Sequence, residues 1–329
     1  MALRIVLMGT GHFALPTFRA VIESRHTVVG LFTQPDRSGR GHHHHVNPLK
    51  ELVAARGTPI FQPQKVNLPE PISQLRRLSP DVCVVAAYGQ ILSAELIGTP
   101  RLGAVNVHAS LLPKFRGAAP IQTAILGGEQ ETGITIFQIE PKLDAGPMLA
   151  IEKTPIGPKE TCGELEARLA KMGASMIVPV LDRMETGETI PLVQDLSQVS
   201  RAPRLKKEDG RIDWRKSAAQ IDCQVRAFQP WPLAYSTLVT EKGLGLPVES
   251  QRLILLDVEP SATADSAATG LAEGEVLTVD RKRFLVQTGY GTLEILRLRP
   301  DGKRAMSAAE FLAGHPLSGG DRFETSDAG

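Results

Sequence analysis

A chain of 329 residues with 37 Lys+Arg against 36 Asp+Glu has a formal net charge of +1. The length corresponds to roughly two domains at about 100–200 residues each, and a hydrophobic share of 42% is too high for a disordered chain. Near-neutrality excludes a protein coated uniformly in positive charge, and at face value it argues against a nucleic-acid partner.

The run from Leu3 to Gly9 reads as a buried strand, and Phe13 to Ser24 as the helix after it. His26 to Thr33 is a second strand, followed by a polar loop from Arg37 to Val46 and a helix around Pro48 to Arg56. Asp81 to Gly89, Gly103 to His108 and Gly133 to Glu140 are further strands with helical stretches between them. Continuously apolar strands alternating with helices predict an open, largely parallel sheet covered on both faces. Glu160 to Met184 reads as a long helix, and the polar stretch from Thr186 to Gln198 as a connector. Beyond Arg211 the texture changes to short β-rich runs at Ala234 to Val239, Arg252 to Val258, Gly274 to Val279, Arg283 to Gln287 and Thr292 to Arg297. Their close spacing predicts a small antiparallel barrel or sandwich. Ala262 to Gly270 reads as a mobile loop and the end after Gly319 as a disordered tail. Cys83, Cys162 and Cys223 form no CxxC pair, which speaks against a zinc knuckle or a disulfide framework and suits a reducing cytosol. No apolar run of about 18 residues occurs, so a soluble cytoplasmic protein is expected.

Gly9-Thr10-Gly11-His12-Phe13-Ala14 fits GxGxxA after a strand and before a helix, with Asp36 past the second strand. That is the context of a dinucleotide-binding turn. It is equally the context of a tight strand-to-helix turn that needs two glycines, and these residues alone leave both open. The densest chemistry lies in NVHASLLPKFRGAAPIQTAI, Asn106 to Ile125, and GITIFQIEPKLDAGPML, Gly133 to Leu149. Asn106 and His108 stand two apart on one strand and so share a face. They lie at the carboxyl end of a parallel strand, where open α/β sheets place ligands. An amide beside an imidazole could stabilise an oxyanion or move a proton. Asp144, past another strand, could orient His108 or raise its pKa. A lone histidine is otherwise a satisfied structural one, and Asp144 a turn residue before Gly146.

These residues reach a family. NVHASLLPKFRGAAPIQ resembles the signature of the formyltransferases that use 10-formyltetrahydrofolate. FTQPDRSGRG (Phe32 to Gly41), VVAAYGQIL (Val84 to Leu92), ETGITI (Glu131 to Ile136), RIDW (Arg211 to Trp214), RAFQPWP (Arg226 to Pro232) and PDGKRAM (Pro300 to Met306) follow in the family's order, over about residues 3 to 313. The resemblance implies a Rossmann-like, mostly parallel α/β catalytic domain over 1–188 and a linker over 189–209. It also implies an OB-like β-barrel that binds tRNA over 210–316, with a disordered tail over 317–329. It implies transfer of a formyl group from N10 of the folate to the α-amino group of methionine on initiator tRNA. Asn106, His108 and Asp144 would stabilise the tetrahedral oxyanion and relay the proton. Ser110, Leu111, Leu112 and Pro113, with Tyr88, Gly89, Gln90, Ile91 and Leu92, would bind the folate. Arg37, Arg40, Lys206, Lys207, Arg211, Lys303 and Arg304 would meet the tRNA. A monomer is expected, with no membrane partner and no tightly bound metal.

Two departures stand out. The family's first turn is usually Gly-Thr-Pro followed by an acidic residue; here it is Gly9-Thr10-Gly11-His12, which creates the dinucleotide-like pattern without restoring dinucleotide binding. Family members usually carry lysines where this chain has His42 to His45, and neutral imidazoles are weaker phosphate partners. Metal binding by four adjacent histidines lacks a supporting carboxylate cluster. Competing readings are a sugar-amine or water acceptor, a tRNA-binding module without catalysis, and a dehydrogenase. The charge itself is segregated: residues 1–50 hold 6 Lys+Arg against 2 Asp+Glu, and residues 201–216 hold 7 against 3. Arg297, Arg299, Lys303 and Arg304 form a further basic group. A net charge of +1 therefore does not exclude a tRNA enzyme with one basic face.

Overall fold

The computed structural model describes residues 2–36, 47–240, 249–261, 270–278, 280–318 and 320–325. Arg37, Arg40, the four histidines from His42 to His45, and all of the expected 262–270 loop except Gly270 lie outside the described residues. The chain divides into two compact units. The first comprises Met1–Ile121, Gln130–Ile156 and Glu164–Arg204, and the second Gln122–Glu129, Gly157–Gly163 and Leu205–Gly329.

The first unit is built on strands β1 (Arg4–Gly9), β2 (Thr27–Phe32), β3 (Ile60–Phe61), β4 (Val82–Ala86), β5 (Ala104–His108), β7 (Glu131–Gln138) and β8 (Met148–Pro155). They form one sheet in the order β3-β2-β1-β4-β5-β7-β8. β1 to β5 run parallel, and β7 and β8 run antiparallel to complete the sheet. β8, an edge strand, begins with the apolar run Met148 to Ile151 but turns polar at the exposed Glu152 and Lys153, and the sequence reading leaves it out. A two-residue strand β6 (Arg116–Gly117) pairs with β9 (Arg201–Ala202).

Register decides which side chains share a face. Val6, Cys83 and Ala104 align in one row, and Met8, Val85 and Asn106 in the next. This face packs on Ile72 and Leu75 of α3 (Pro69–Arg77) and on Leu96 of α4 (Ala94–Ile97). The other face meets α1 (Ala14–Glu23), whose Phe18 is fully buried. It also meets α6 (Cys162–Thr186), in which a Cβ at Gly173 would lie 2.7 Å from the Val107 side chain. The glycines after β1 have structural reasons of their own. A Cβ at Gly9 would fall 2.6 Å from both the Ala86 carbonyl oxygen and the Phe18 ring, and Gly11 has φ +79°. Close packing and a left-handed turn account for both, which is the tight-turn reading of the GxGxxA pattern.

The expected linker over 189–209 is divided rather than free. Up to Arg204 it belongs to the first unit, because Leu192 bridges to Met148 and β9 pairs with β6. Its polarity hid these backbone pairings from the sequence. No helix among the described residues is long and apolar enough to cross a membrane.

The second unit carries α7 (Ala218–Ala227), β10 (Ala234–Thr240), β11 (Glu249–Ser261), β12 (Val276–Thr278), β13 (Phe284–Gln287), β14 (Thr292–Pro300), β15 (Met306–Ser307), α8 (Ala308–Gly314) and β16 (Arg322–Phe323). All strand pairs are antiparallel, in the order β12-β13-β14-β11-β10-β16, with β15 on β14. A bridge from Arg322 to Glu275 joins the last strand back to the start of β12, so the sheet closes into a small barrel. Trp214 is fully buried in it, donates to Ser236 Oγ at 3.1 Å and lies 5.1 Å from the Phe323 ring. The tail expected to be disordered over 317–329 is thus corrected: through Thr325 it is part of the barrel, because β16 pairs with β10 and buries Phe323. Residues 319 and 326–329 lie outside the described ones. Ser217 caps α7 by accepting from the Gln220 N–H while Gln220 reaches back to the Ser217 N–H. Ser217→Ala is expected to destabilise the second unit by about 1 kcal/mol, read as a shift in its urea transition.

Candidate active site

β5 contributes Asn106 and His108 to the face shared with α3 and α4. Residues opposite one another in an antiparallel pair share a face. Phe137, opposite Asn106, and Thr135, opposite His108, therefore complete a four-residue platform. His108 is 5% exposed and meets the Phe137 ring edge-on at 6.2 Å. Asn106 is half-buried, and no described residue is hydrogen-bonded to its amide.

The loop after β5 is tied to this platform. Thr135 Oγ1 donates to the Ser110 carbonyl at 2.7 Å and accepts the Leu112 N–H at 3.1 Å. Ser110 Oγ donates to the Lys114 carbonyl at 2.7 Å, so its hydroxyl shapes the loop. Leu112 packs with Phe137 and Met148, Leu111 is half-buried, and Pro113 is buried. The turn leads to Phe115, whose carbonyl lies 3.1 Å from His108 Nε2.

That contact assigns the imidazole. A carbonyl only accepts, so Nε2 bears the hydrogen and the neutral ring has its lone pair at Nδ1. Nδ1 lies 4.0 Å from Asp144 Oδ2. Burial lowers the His108 pKa below the ordinary imidazole value of 6.5, while the Asp144 charge and the Phe115 carbonyl pull it upward. The ring is therefore neutral near pH 7, yet poised beside an anion that would favour its protonated form.

Asp144 lies between β7 and β8 with φ +47°, and its Oδ2 accepts the Gly117 N–H at 2.8 Å. Gln194 Nε2 donates to the carbonyls of Asp144 at 2.9 Å and Gly146 at 2.8 Å. Gln194 Oε1 accepts from Arg116 Nε at 3.2 Å and Nη2 at 2.7 Å. Gln194 and Arg116 are both buried. Ser200 adds a hydroxyl that accepts the Phe115 N–H and a carbonyl that accepts the Arg116 N–H, each at 2.9 Å.

The other expected ligand-binding segment, Tyr88 to Leu92, follows β4 and reaches the same face. Tyr88 and Leu92 are buried in the cluster beneath it, and the Tyr88 hydroxyl is buried without a hydrogen-bond partner among the described residues. Gly89 is exposed with φ +80°. Gln90 is engaged elsewhere, donating to the Pro63 carbonyl and accepting the Val66 N–H. Ile91 is 74% exposed, the apolar side chain this segment offers to solvent.

In the second unit, register brings the basic residues together. Arg211 bridges to Tyr235, Tyr235 pairs with Ile254, and Ile254 pairs with Arg299. Three strand spacings put Arg211 about 14 Å from Arg299. The Arg252 guanidinium lies 3.6 Å from the centre of the Tyr235 ring. The Asp301 N–H donates to the Arg252 carbonyl, which places the turn bearing Lys303 and Arg304 beside this row. Lys206, Lys207, Lys303 and Arg304 are exposed; Arg304 is 3.1 Å from Glu310, and Arg211 is 3.8 Å from Glu324.

One group of potential metal ligands occurs among the described residues, well apart from Asn106 and His108 in sequence: His26, Asp182 and Glu185. Arg25 already pairs with both carboxylates, and His26 Nδ1 accepts the Leu3 N–H, which leaves Nε2 protonated and unable to ligate.

Thr135, Arg116, Gln194 and Ser200 were missing from the sequence-based site. Thr135 had a signal, being a polar residue within an apolar strand; Gln194, in a stretch read as a connector, had none.

Residues 3–181 match the formyl transferase family, and residues 204–316 match the formyl transferase C-terminal domain. A methionyl-tRNA formyltransferase of Methylococcus capsulatus is 44% identical over 318 residues, 96% of this chain and 98% of that protein. One of Citrifermentans bemidjiense is 43% identical over 327 residues, 99% of this chain and 98% of that protein. Among solved structures, the N-formyltransferase of Helicobacter canadensis, in complex with folinic acid and dTDP-3-aminofucose, superposes with a TM-score of 0.62 at 15% identity. The match covers 90% of this chain and 98% of that one. HypX of Aquifex aeolicus, in complex with tetrahydrofolic acid, gives a TM-score of 0.57 at 16% identity over 95% of this chain and 47% of that one. At these identities the structures speak for the fold.

Proposed function

Because the chain belongs to the formyl transferase family, we propose that it transfers the formyl group of 10-formyltetrahydrofolate to the α-amino group of methionyl initiator tRNA. The product is N-formylmethionyl-tRNA, used in translation initiation. The observation that carries this reading is the near full-length match, through both units, to proteins named for that reaction.

The reaction is acyl transfer between two nitrogens. A C–N bond forms between the methionine nitrogen and the formyl carbon, and the bond from that carbon to N10 breaks. The attacking nitrogen loses a proton and N10 gains one. In our reading His108 Nδ1 accepts the first proton, because Nε2 is committed to the Phe115 carbonyl. Asp144 stabilises the imidazolium so formed, and the ring returns the proton to N10. The Asn106 amide donates to the formyl oxygen as charge develops on it, a role supported by the absence of a protein partner among the described residues. No covalent intermediate is called for: burial pushes the Cys83 thiol up to about 12, far from a reactive thiolate.

We assign the folate to the face of Ser110 to Pro113 and Tyr88 to Leu92. Leu111 and Ile91 supply exposed or half-exposed apolar surface there, and Ser110, Gln90, Tyr88 and Leu92 act as the supporting wall. We assign the acceptor arm to Lys206, Lys207, Arg211, Lys303 and Arg304, with Arg37 and Arg40 as further contacts. The catalytic unit ends at Arg204 rather than at 188, and the tRNA-binding unit follows it. The chain acts as a cytoplasmic monomer, a point that sedimentation of the purified protein tests.

Acceptor choice tests the proposal. With 10-formyltetrahydrofolate as donor, charged initiator tRNA should be formylated and an amino-sugar nucleotide should not; the reverse pattern would defeat it. The pH profile of kcat gives a second check. Burial lowers the His108 pKa, so the base stays neutral to below pH 6.5 and its own acid limb lies below that value. An acid limb above 6.5 that does not follow the titration of the substrate's α-amino group would contradict the assigned base.

A further inference from the structure

Three successive residues of one strand and its approach meet the catalytic groups by three different routes. The Phe115 carbonyl faces His108 Nε2, the Arg116 side chain holds Gln194, and the Gly117 N–H holds the Asp144 carboxylate. Gln194 closes the circuit from the far side. Its single amide nitrogen donates to two carbonyls that flank Ala145, those of Asp144 and Gly146. Asp144 needs such a hold, because a non-glycine residue at φ +47° sits in a sparsely populated backbone region and persists where its surroundings over-determine it. A turn of that backbone would swing the carboxylate away from both Gly117 and His108.

We infer that Gln194 is a positioning residue for the transfer. Its amide fixes the backbone of Asp144 and Gly146, Arg116 fixes the amide, and the Asp144 carboxylate is thereby kept between the Gly117 N–H and His108 Nδ1. Gln194 touches no reacting atom and acts through Asp144. The inference rests on the formyl transfer assigned above. It also gives the segment after residue 188 a catalytic purpose, since the hold on Asp144 comes from within it.

The test uses the full-length protein. Gln194→Met keeps the length of the side chain and removes all four hydrogen bonds. It is expected to lower kcat by about 10–10²-fold, the scale of a misplaced catalytic group, with KM for both substrates changed less than kcat. The acid limb should move to lower pH, because Asp144 is the charge that raises the His108 pKa and it would stand farther away. In an Asp144→Asn background, Gln194→Met should add little further loss, since both changes act on one interaction. A merely structural role predicts otherwise: less active protein, additive losses and an unmoved acid limb. If Gln194→Met does not fold, Gln194→Asn, one methylene short of the two carbonyls, replaces it with the same expectations. Unchanged kcat, or additive losses with an unmoved acid limb, overturns this inference alone, provided the unsubstituted chain formylates methionyl-tRNA. Failure of the unsubstituted chain to do so overturns the assigned reaction and the inference together.

Discussion

Alanine in place of His108 is expected to lower kcat for formyl transfer by about 10²–10⁴-fold, the usual contribution of a positioned acid–base group. The size follows from what no neighbour can replace. Asp144 Oδ2 already accepts the Gly117 N–H, while Thr135 Oγ1 is committed to the Ser110 carbonyl and the Leu112 N–H. Neither side chain offers an imidazole nitrogen at the place of His108, beside Asn106 on β5. The fold should survive, because the one side-chain hydrogen bond His108 makes among the described residues is to the Phe115 carbonyl. tRNA affinity should be unchanged, since the residues assigned to that contact lie elsewhere in the chain. The measurement is single-turnover formylation alongside filter binding of charged tRNA. Turnover within a few-fold of the unsubstituted protein would remove His108 from the mechanism.

Asn106→Ala is expected to cost about 10²–10³-fold in kcat, or roughly 2.7–4 kcal/mol of transition-state stabilisation, as for other oxyanion donors. The amide makes no bond to the described protein, so its removal leaves no group inside the protein unsatisfied and should barely change stability. The loss should fall on kcat more than on KM, because charge appears on the formyl oxygen only as the tetrahedral carbon forms. A loss confined to KM for the folate would instead make Asn106 a binding residue. Steady-state kinetics with each substrate varied separately distinguishes the two.

The sheet was legible where burial forced its pattern onto the residues. β1, β2 and β4 are largely apolar runs because both faces are covered, and with β5, whose Ala104, Val105 and Val107 are buried, they emerge at nearly their observed bounds. β8 and β16 were not: β8 turns from Met148–Ile151 to the exposed Glu152 and Lys153 halfway along a sheet edge, and β16 is two residues long. Strand alternation put Asn106 and His108 on one face, and the resemblance to the formyltransferase signature supplied the roles expected of them. Asp144 was legible only as a loop residue that could converge on them, and its left-handed backbone and its ties to Gly117 and Gln194 are tertiary facts. Gln194 was invisible because its partners, two carbonyls and a guanidinium, lie 48 to 78 residues away. The GxGxxA pattern shows the converse error: a local motif suggests a ligand, whereas Gly9 is required by the Ala86 carbonyl and the Phe18 ring.

The net charge of +1 likewise conceals its distribution: Arg252 on β11 and Arg299 on β14 stand on neighbouring strands, and Arg211 bridges to β10 on the other side of β11. The most direct test is formylation by the full-length protein of methionine charged on initiator tRNA, compared with methionine charged on elongator tRNA, with 10-formyltetrahydrofolate as donor. The expected result is N-formylmethionine on the initiator, with far less on the elongator. No formylmethionine on initiator tRNA, from folded protein that still consumes the donor, would contradict the assignment.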